Sequence, residues 1–356
     1  MRLALVTGSL GLVGSAVARA FARNGLLVIG MDNDMRRHYF GADASNAWQR
    51  QVLEEELGSL YQHHSIDVCD GRTVHALLAS VGRQVAAVVH CAAQPSHDWA
   101  ARSPLVDFAV NASGTLNLLE AARLAAPEAI FIHMSTNKVY GDRPNALPLI
   151  DRGSRLDLAE EHPYWPHGVD ESLSVDACVH SVFGASKLAA DVMVQEYGRY
   201  FGLRTVVLRG GCISGPAHAG AEAHGFLSYL CRCAVTGTTY RVIGHGGKQV
   251  RDNIHADDLA EAIYRLHETP PSPGEVFNVG GGRDNAVSVN EAIDIVETLL
   301  GGTVSREPLS EPRLGDHRWY ITDNRKLAAA LPGWSPATSV TDVIEQNIAA
   351  MQKRWL

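Results

Sequence analysis

The chain has no apolar run approaching the ~20 residues that a helix needs to cross a bilayer, and it has no excess of basic charge. No membrane partner is expected, and the protein reads as cytoplasmic. Its opening residues Met1 to Val6 are apolar, but that run stops at Thr7-Gly8 without the longer core and cleavage site of an export signal. They read as a strand. Lys and Arg number 31 against 39 Asp and Glu, a net charge of -8, which argues against a broad phosphate-backbone footprint and so against a nucleic-acid partner. Any anionic ligand must be met by a local cluster of basic side chains. Cysteine is sparse as well. Cys69, Cys91, Cys178, Cys212, Cys231 and Cys233 are scattered, as expected of reduced thiols in an intracellular protein. Cys231 and Cys233 are the one close pair, and Cys-x-Cys without further ligands is a poor zinc signal, so no metal site is expected. Internal repeats and low-complexity tracts are absent.

What the chain does have is length and a core. Its 356 residues, 46% hydrophobic and 20% charged, suit one large or two interleaved globular domains. Short β-rich apolar runs at 3–7, 26–31, 85–90, 130–134 and 204–208 alternate with helix-period segments at 14–23, 73–81, 113–125 and 186–201. Several of these strands are apolar throughout, as expected when helices cover both faces of a parallel sheet. The fold class is therefore a doubly wound α/β (Rossmann) sheet with a smaller, interleaved C-terminal domain. The division expected is 1–210 with a return segment 250–282 for the first, and 211–249 with 283–356 for the second. Residues 143–176 crowd Pro, His, Trp, Asp and Glu without a sustained period and read as a long functional or mobile loop. Further on, 253–268, 287–300 and 339–353 look helical.

Thr7-Gly8-Ser9-Leu10-Gly11-Leu12-Val13-Gly14 places Gly-x-x-Gly-x-x-Gly between the first strand and the first helix. Gly8 and Gly11 permit a tight turn and close approach of backbone amides to a pyrophosphate, and Gly14 lets the helix pack near the strand. A glycine motif alone is weak, but the strand-then-helix context is the one this chemistry requires. Asp32, followed by Asn33, closes the second strand, where an acid binds both ribose hydroxyls of NAD and repels a 2′-phosphate. Arg36 and Arg37 stand close enough to soften that preference.

Several further motifs, in order, resemble the extended branch of the short-chain dehydrogenase/reductase superfamily. Asp67-Val68 falls where that branch holds adenine. His90-Cys91-Ala92-Ala93-Gln94 looks like its turn beneath the pyrophosphate, and Asn111-x-x-Gly114-Thr115-x-Asn117 like the motif opening the next helix. Ser135-Thr136-Asn137-Lys138-Val139-Tyr140-Gly141-Asp142 is similar to the corresponding stretch of CDP-paratose (CDP-tyvelose) 2-epimerases. The similarity runs nearly the whole length, through Asp170-Glu171-Ser172 and Gly247-Lys248-Gln249-Val250-Arg251-Asp252. The resemblance implies an NAD-dependent epimerase of a nucleoside diphosphate sugar that passes through a transient ketone. It assigns Thr136 to orienting the substrate hydroxyl, Asn137 and Lys138 to the substrate, and Arg251, Arg313 and Arg318 to its phosphates. It also implies a homodimer joined through the helices near Ser113 and Ser186. Nucleotide-sugar 4,6-dehydratases carry Asp-Glu where this chain has Asn137-Lys138, and an amide and an ammonium cannot share the acid and base roles of water elimination.

One departure stands out. His180-Ser181-Val182-Phe183-Gly184-Ala185-Ser186-Lys187 frames the Tyr-x-x-x-Lys helix of the superfamily, yet Phe183 occupies the place of the tyrosine. Lys187 keeps its expected hold on the nicotinamide ribose, but a phenyl ring cannot exchange a proton. Tyr164 is the first candidate for the missing hydroxyl, with His162, His167, His180 and the pair Asp170-Glu171 as further candidates. The alternatives are a dehydrogenase, a ketone-assisted eliminase or decarboxylase on a nucleotide-linked substrate, or a silent NAD-binding sensor. An epimerase leaves its bound cofactor redox-neutral over a cycle, a dehydrogenase consumes free cofactor, and a sensor turns over nothing.

Overall fold

The computed structural model describes residues 2–222, 224–312 and 315–356. Its centre is a seven-stranded sheet of parallel pairs. The strands are β1 (Leu3–Thr7), β2 (Leu27–Met31), β3 (Tyr61–His64), β4 (Val85–His90), β5 (Ile130–Thr136), β6 (Arg204–Gly210) and β7 (Glu275–Val279), in the order β7-β6-β5-β4-β1-β2-β3. Alternate residues of each strand serve opposite faces. Ala4 and Val6 pack with helix α1 (Leu12–Arg23) and the helix Ala256–Glu268. Leu3 and Leu5 pack with helix Gly71–Val81, α2 (Gly114–Ala125) and α3 (Ser181–Phe201). This double cover explains why β1 and β4 are buried along their whole length. The strand order reverses between β1 and β4, and a crevice opens beyond their carboxyl ends.

A second body is built around the helices Phe226–Thr236, Val289–Leu300 and Val340–Trp355, which share one apolar cluster containing Leu230, Ile293 and Ile344. The strands Tyr240–Ile243 and Arg306–Leu309 pair in parallel beside it. Val250–His255 bridges the two bodies, pairing with Cys212–Ser214, Ala286–Ser288 and Trp319–Tyr320.

Several boundaries depart from the sequence expectation. Residues 253–255 are strand, and the helix begins at Ala256 behind the cap of His255, whose Nδ1 accepts from Asp257 N–H. The polar sequence hides the strand because Asp252 and Asn253 are wholly buried. Residues 287–288 are likewise strand, and a capping box between Ser288 and Glu291 starts the helix at Val289. α3 begins five residues before 186, at Ser181. Loop 143–176 contains a hairpin, Leu149–Asp151 against Leu156–Leu158.

Candidate active site

β1 delivers the chain into Gly8, at φ 65, whose N–H donates to Met31 O at 2.8 Å. A Cβ at Gly8 would stand 2.8 Å from Ala92 N, and one at Gly14 would stand 2.1 Å from Gly8 O. Neither contact is tolerable, so both glycines are dictated by close backbone approach. α1 then starts with Gly11 as N-cap and no side chain capping it. Its first N–H groups and its positive dipole end face the crevice, the arrangement that receives a pyrophosphate.

Asp32 is held by its neighbours. Oδ2 accepts from Leu10 N–H at 3.0 Å and Oδ1 from Asp34 N–H at 2.8 Å. Burial raises its pKa, and those two bonds oppose the rise. A carboxylate accepts about four hydrogen bonds, so each oxygen keeps capacity for a ribose hydroxyl. Asn33, Asp67, Val68, Ala92 and Ala93 line the same end of the crevice. Arg36 lines it too but is turned aside, with Nη2 donating to Ala219 O at 2.6 Å. The cradle that a Cβ would fill and the partly free carboxylate fit a dinucleotide with unphosphorylated ribose.

Gln94 and Asn111, expected at the cofactor, stand behind the crevice wall instead. Asn111 Oδ1 accepts from Gln94 N–H at 2.9 Å, and both amides donate to Asp107 Oδ1, at 3.0 and 2.7 Å. Both side chains are thus spent on bracing the turn that carries Ala92 and Ala93.

The other end is set by β5 and α3. A buried pair, Arg209 on β6 with Asp191 on α3, makes two 3.0 Å hydrogen bonds, and Ser135 Oγ joins it at 2.6 Å. Strands and helix are thereby locked in register. Thr136, Asn137 and Lys138 follow directly into the crevice, opposite Phe183 and Lys187 one turn apart on α3. Lys187 Nζ donates to Met134 O at 2.7 Å and lies 3.5 Å from His133 Nε2. Burial pushes its pKa down to about 8, with Asp191 opposing. Lys138 Nζ donates to Gly315 O at 3.0 Å and sits 4.0 Å from Asp316 Oδ1, and burial pushes its pKa to about 8 as well. Arg251, buried and lining the crevice, pairs with Asp316. Burial alone would raise the Asp316 pKa, but Arg251 and Lys138 hold it well below the usual carboxylate range.

The remaining sequence candidates lie elsewhere. Tyr164 packs with Trp165 against the cluster of Val139, Leu158, Val169 and Trp319, outside the crevice lining. Its loop lies against the second body and does not cover the site. His162 Nδ1 accepts from Tyr164 N–H at 3.1 Å, and His180 Nε2 is 2.8 Å from Val175 O; neither ring lines the crevice. His167 and Asp170 are not among the lining residues either, and Glu171 Oε1 accepts from Asn278 N–H at 2.6 Å. Arg318 donates to Asn145 O and does not line the crevice. Arg313 lies outside the described residues. Sequence reasoning passed over His97, which lines the crevice with its ring against Phe183, and Gly315 and Asp316 as individual residues. The available signal for His97 was its position three residues beyond Gln94, on the turn after β4.

Fold and crevice together define an enzyme of the extended short-chain dehydrogenase/reductase type. Residues 4–280 match the NAD dependent epimerase/dehydratase family. The chain belongs to that family, and its cofactor is NAD. It is 31% identical to CDP-paratose 2-epimerase of Salmonella typhi over 96% of this chain and 97% of that one. It is 29% identical to dTDP-glucose 4,6-dehydratase 1 of Escherichia coli K12, covering 97% and 91%. Among solved structures it is similar to UDP-glucose 4-epimerase of Thermus thermophilus in complex with NAD, at TM-score 0.76 and 25% identity over 99% of both chains.

Proposed function

We propose that the protein interconverts epimers of a nucleoside diphosphate sugar through a ketone, holding its NAD throughout the cycle. One observation carries this reading: a single crevice runs from the glycine turn and Asp32, past Lys187 and Thr136, to the Arg251–Asp316 pair. It joins a dinucleotide cradle to a cationic end of the kind a diphosphate needs. When bound, NAD withdraws a hydride from a sugar carbon and returns it, so the oxidised centre is planar in between. Lys187, fixed by Met134 O, presents its ammonium to the ribose. Thr136, at the mouth of β5, orients the sugar hydroxyl. Arg251 offers a planar fork to the diphosphate. Asn137 and Lys138 supply no carboxyl acid and base for elimination, which favours epimerisation over dehydration.

Proton NMR of CDP-, UDP-, GDP- and dTDP-hexoses incubated with the NAD-loaded protein tests the reading. The expected result is a new epimer with no net consumption of added NAD. Stoichiometric reduction of free NAD, or loss of water from the sugar, would overturn it.

We also propose a homodimer through α2 and α3. Leu119 and Ala122 turn to the sheet, but Leu116, Val192, Tyr200 and Phe201 are exposed, the last two at 79% and 50%. Exposed apolar side chains on both helices suit packing against a second copy of the chain. Light scattering is expected to give twice the chain mass at micromolar concentration; a monomer mass there rules the dimer out.

A further inference from the structure

Phe183 has a neighbour able to do what a phenyl ring cannot. His97 opens the short helix His97–Arg102 and packs edge-on to Phe183, with ring centroids 4.8 Å apart at 61°. A tyrosine hydroxyl would stand one bond beyond the edge of the Phe183 ring. The imidazole lies against that ring, lining the same crevice as Thr136, Lys138 and Lys187.

The ring is clamped. Its Nδ1 lies 3.0 Å from Ser181 Oγ, which also accepts from Gly184 N–H at 3.2 Å. Ser181 holds φ 59, a backbone conformation that a serine keeps only when its surroundings impose it. Gly315 closes on the same edge, where a Cβ would come 2.8 Å from Nδ1. In the tautomer that donates Nδ1–H to Ser181 Oγ, Nε2 keeps its lone pair for a ligand, and that tautomer is the one the reaction requires. The charged groups facing the imidazole are Lys138 and Asp316. Burial is the largest influence on its pKa, which falls to about 4, so the ring is neutral at pH 7. Lys138 is committed to Gly315 O and Asp316, and Asp316 to Arg251.

Resting on the epimerase reading, we infer that His97 is the catalytic acid–base that takes over the duty of the absent tyrosine. The carbinol O–H bond breaks and its proton passes to His97 Nε2. The carbinol C–H bond breaks with its electron pair leaving to NAD, which is reduced as the C=O bond forms. The return step reverses each bond, with His97 giving the proton back.

The test uses the full-length, NAD-loaded chain. Reduction of bound NAD is followed by absorbance after mixing with CDP-, UDP-, GDP- and dTDP-hexoses, and NAD and nucleoside diphosphate binding are followed by calorimetry. The expected result is that His97→Gln slows reduction by about 10²–10⁴-fold, the usual worth of a positioned acid–base, while both affinities stay within about twofold. Adding Phe183→Tyr to His97→Gln is expected to recover at least about tenfold of the lost rate, a rescue that a packing role would not give. A wild-type rate in His97→Gln, or a rate loss matched by lost NAD binding, overturns the assignment. If wild type reduces no NAD with any sugar, the epimerase reading fails on its own, and the ¹⁵N resonances of His97 then decide. A shift of Nε2 on adding a nucleoside diphosphate sugar retains His97 as the group facing the sugar. An unmoved resonance overturns it.

Discussion

The two ends of the crevice are built on different principles. At the cofactor end the backbone is the recognition element: glycines that admit no Cβ, an uncapped helix start, and one acid at a strand terminus. At the sugar end the elements are side chains from segments far apart in the chain, with His97, Lys138, Phe183, Arg251 and Asp316 converging from five places. A backbone device must be written in consecutive residues, whereas a side-chain constellation is assembled by the fold. The first tolerates almost no substitution, and the second can exchange one functional group for another at a neighbouring position.

That difference is broken most sharply at Gly14. An added methyl would overlap Gly8 O at 2.1 Å, and the atoms it meets are backbone of the Gly8–Ser9 turn, with no rotamer to relieve the contact. Gly14→Ala is expected to cost about 3 kcal/mol of stability, and the shifted turn is expected to abolish detectable NAD binding. Urea unfolding and calorimetry read the two effects. Full NAD affinity in this variant would show that the turn is softer than the contact implies.

The same contrast explains what could be read in advance. The five expected strands appear within two residues at each end, because full burial on both faces leaves an unbroken apolar run. The glycine turn and Asp32 were legible because their spacing is local. β3 gave no clear apolar run, since Gln62, His63 and His64 occupy most of it. The strand Val250–His255 passed partly for helix because its polar residues are buried, which the sequence does not show: Asp252 Oδ2 accepts from Gly282 and Thr322 N–H, far along the chain. The loop with Tyr164 reads from its composition as functional or mobile, but Trp165 and Tyr164 are held in an apolar cluster with Trp319. Gln94 and Asn111 carry the right motif spacing yet spend their amides on Asp107. Nothing in the linear order indicates that 97 and 183 touch.

A middle-sized effect is expected at Arg251. Its guanidinium is buried against Asp316, so Arg251→Ala removes the proposed phosphate fork and leaves that carboxylate with Lys138 as its remaining cationic neighbour. Nucleoside diphosphate binding is expected to weaken by about 1.5–3 kcal/mol. Arg251→Lys keeps the charge but not the planar fork and is expected to fall between the two. Calorimetry with CDP, UDP, GDP and dTDP checks this. Equal affinity of wild type and Arg251→Ala for all four would place the diphosphate elsewhere.

The smallest expected effect is at Tyr164, and it tests whether the sugar end is complete without its loop. The phenol is half-buried among apolar neighbours, and its backbone N–H, not its hydroxyl, makes the recorded bond to His162. Tyr164→Phe keeps the ring and its packing, so stability is expected to change by no more than about 0.5 kcal/mol, as at sites without a special contact. The turnover rate on the true substrate is expected to stay within about twofold, against the far larger loss an acid–base residue would give. A hundredfold fall in rate with unchanged NAD binding would mean that the 143–176 loop swings over the crevice once the sugar is bound. In that event Tyr164, and not His97, would carry the proton.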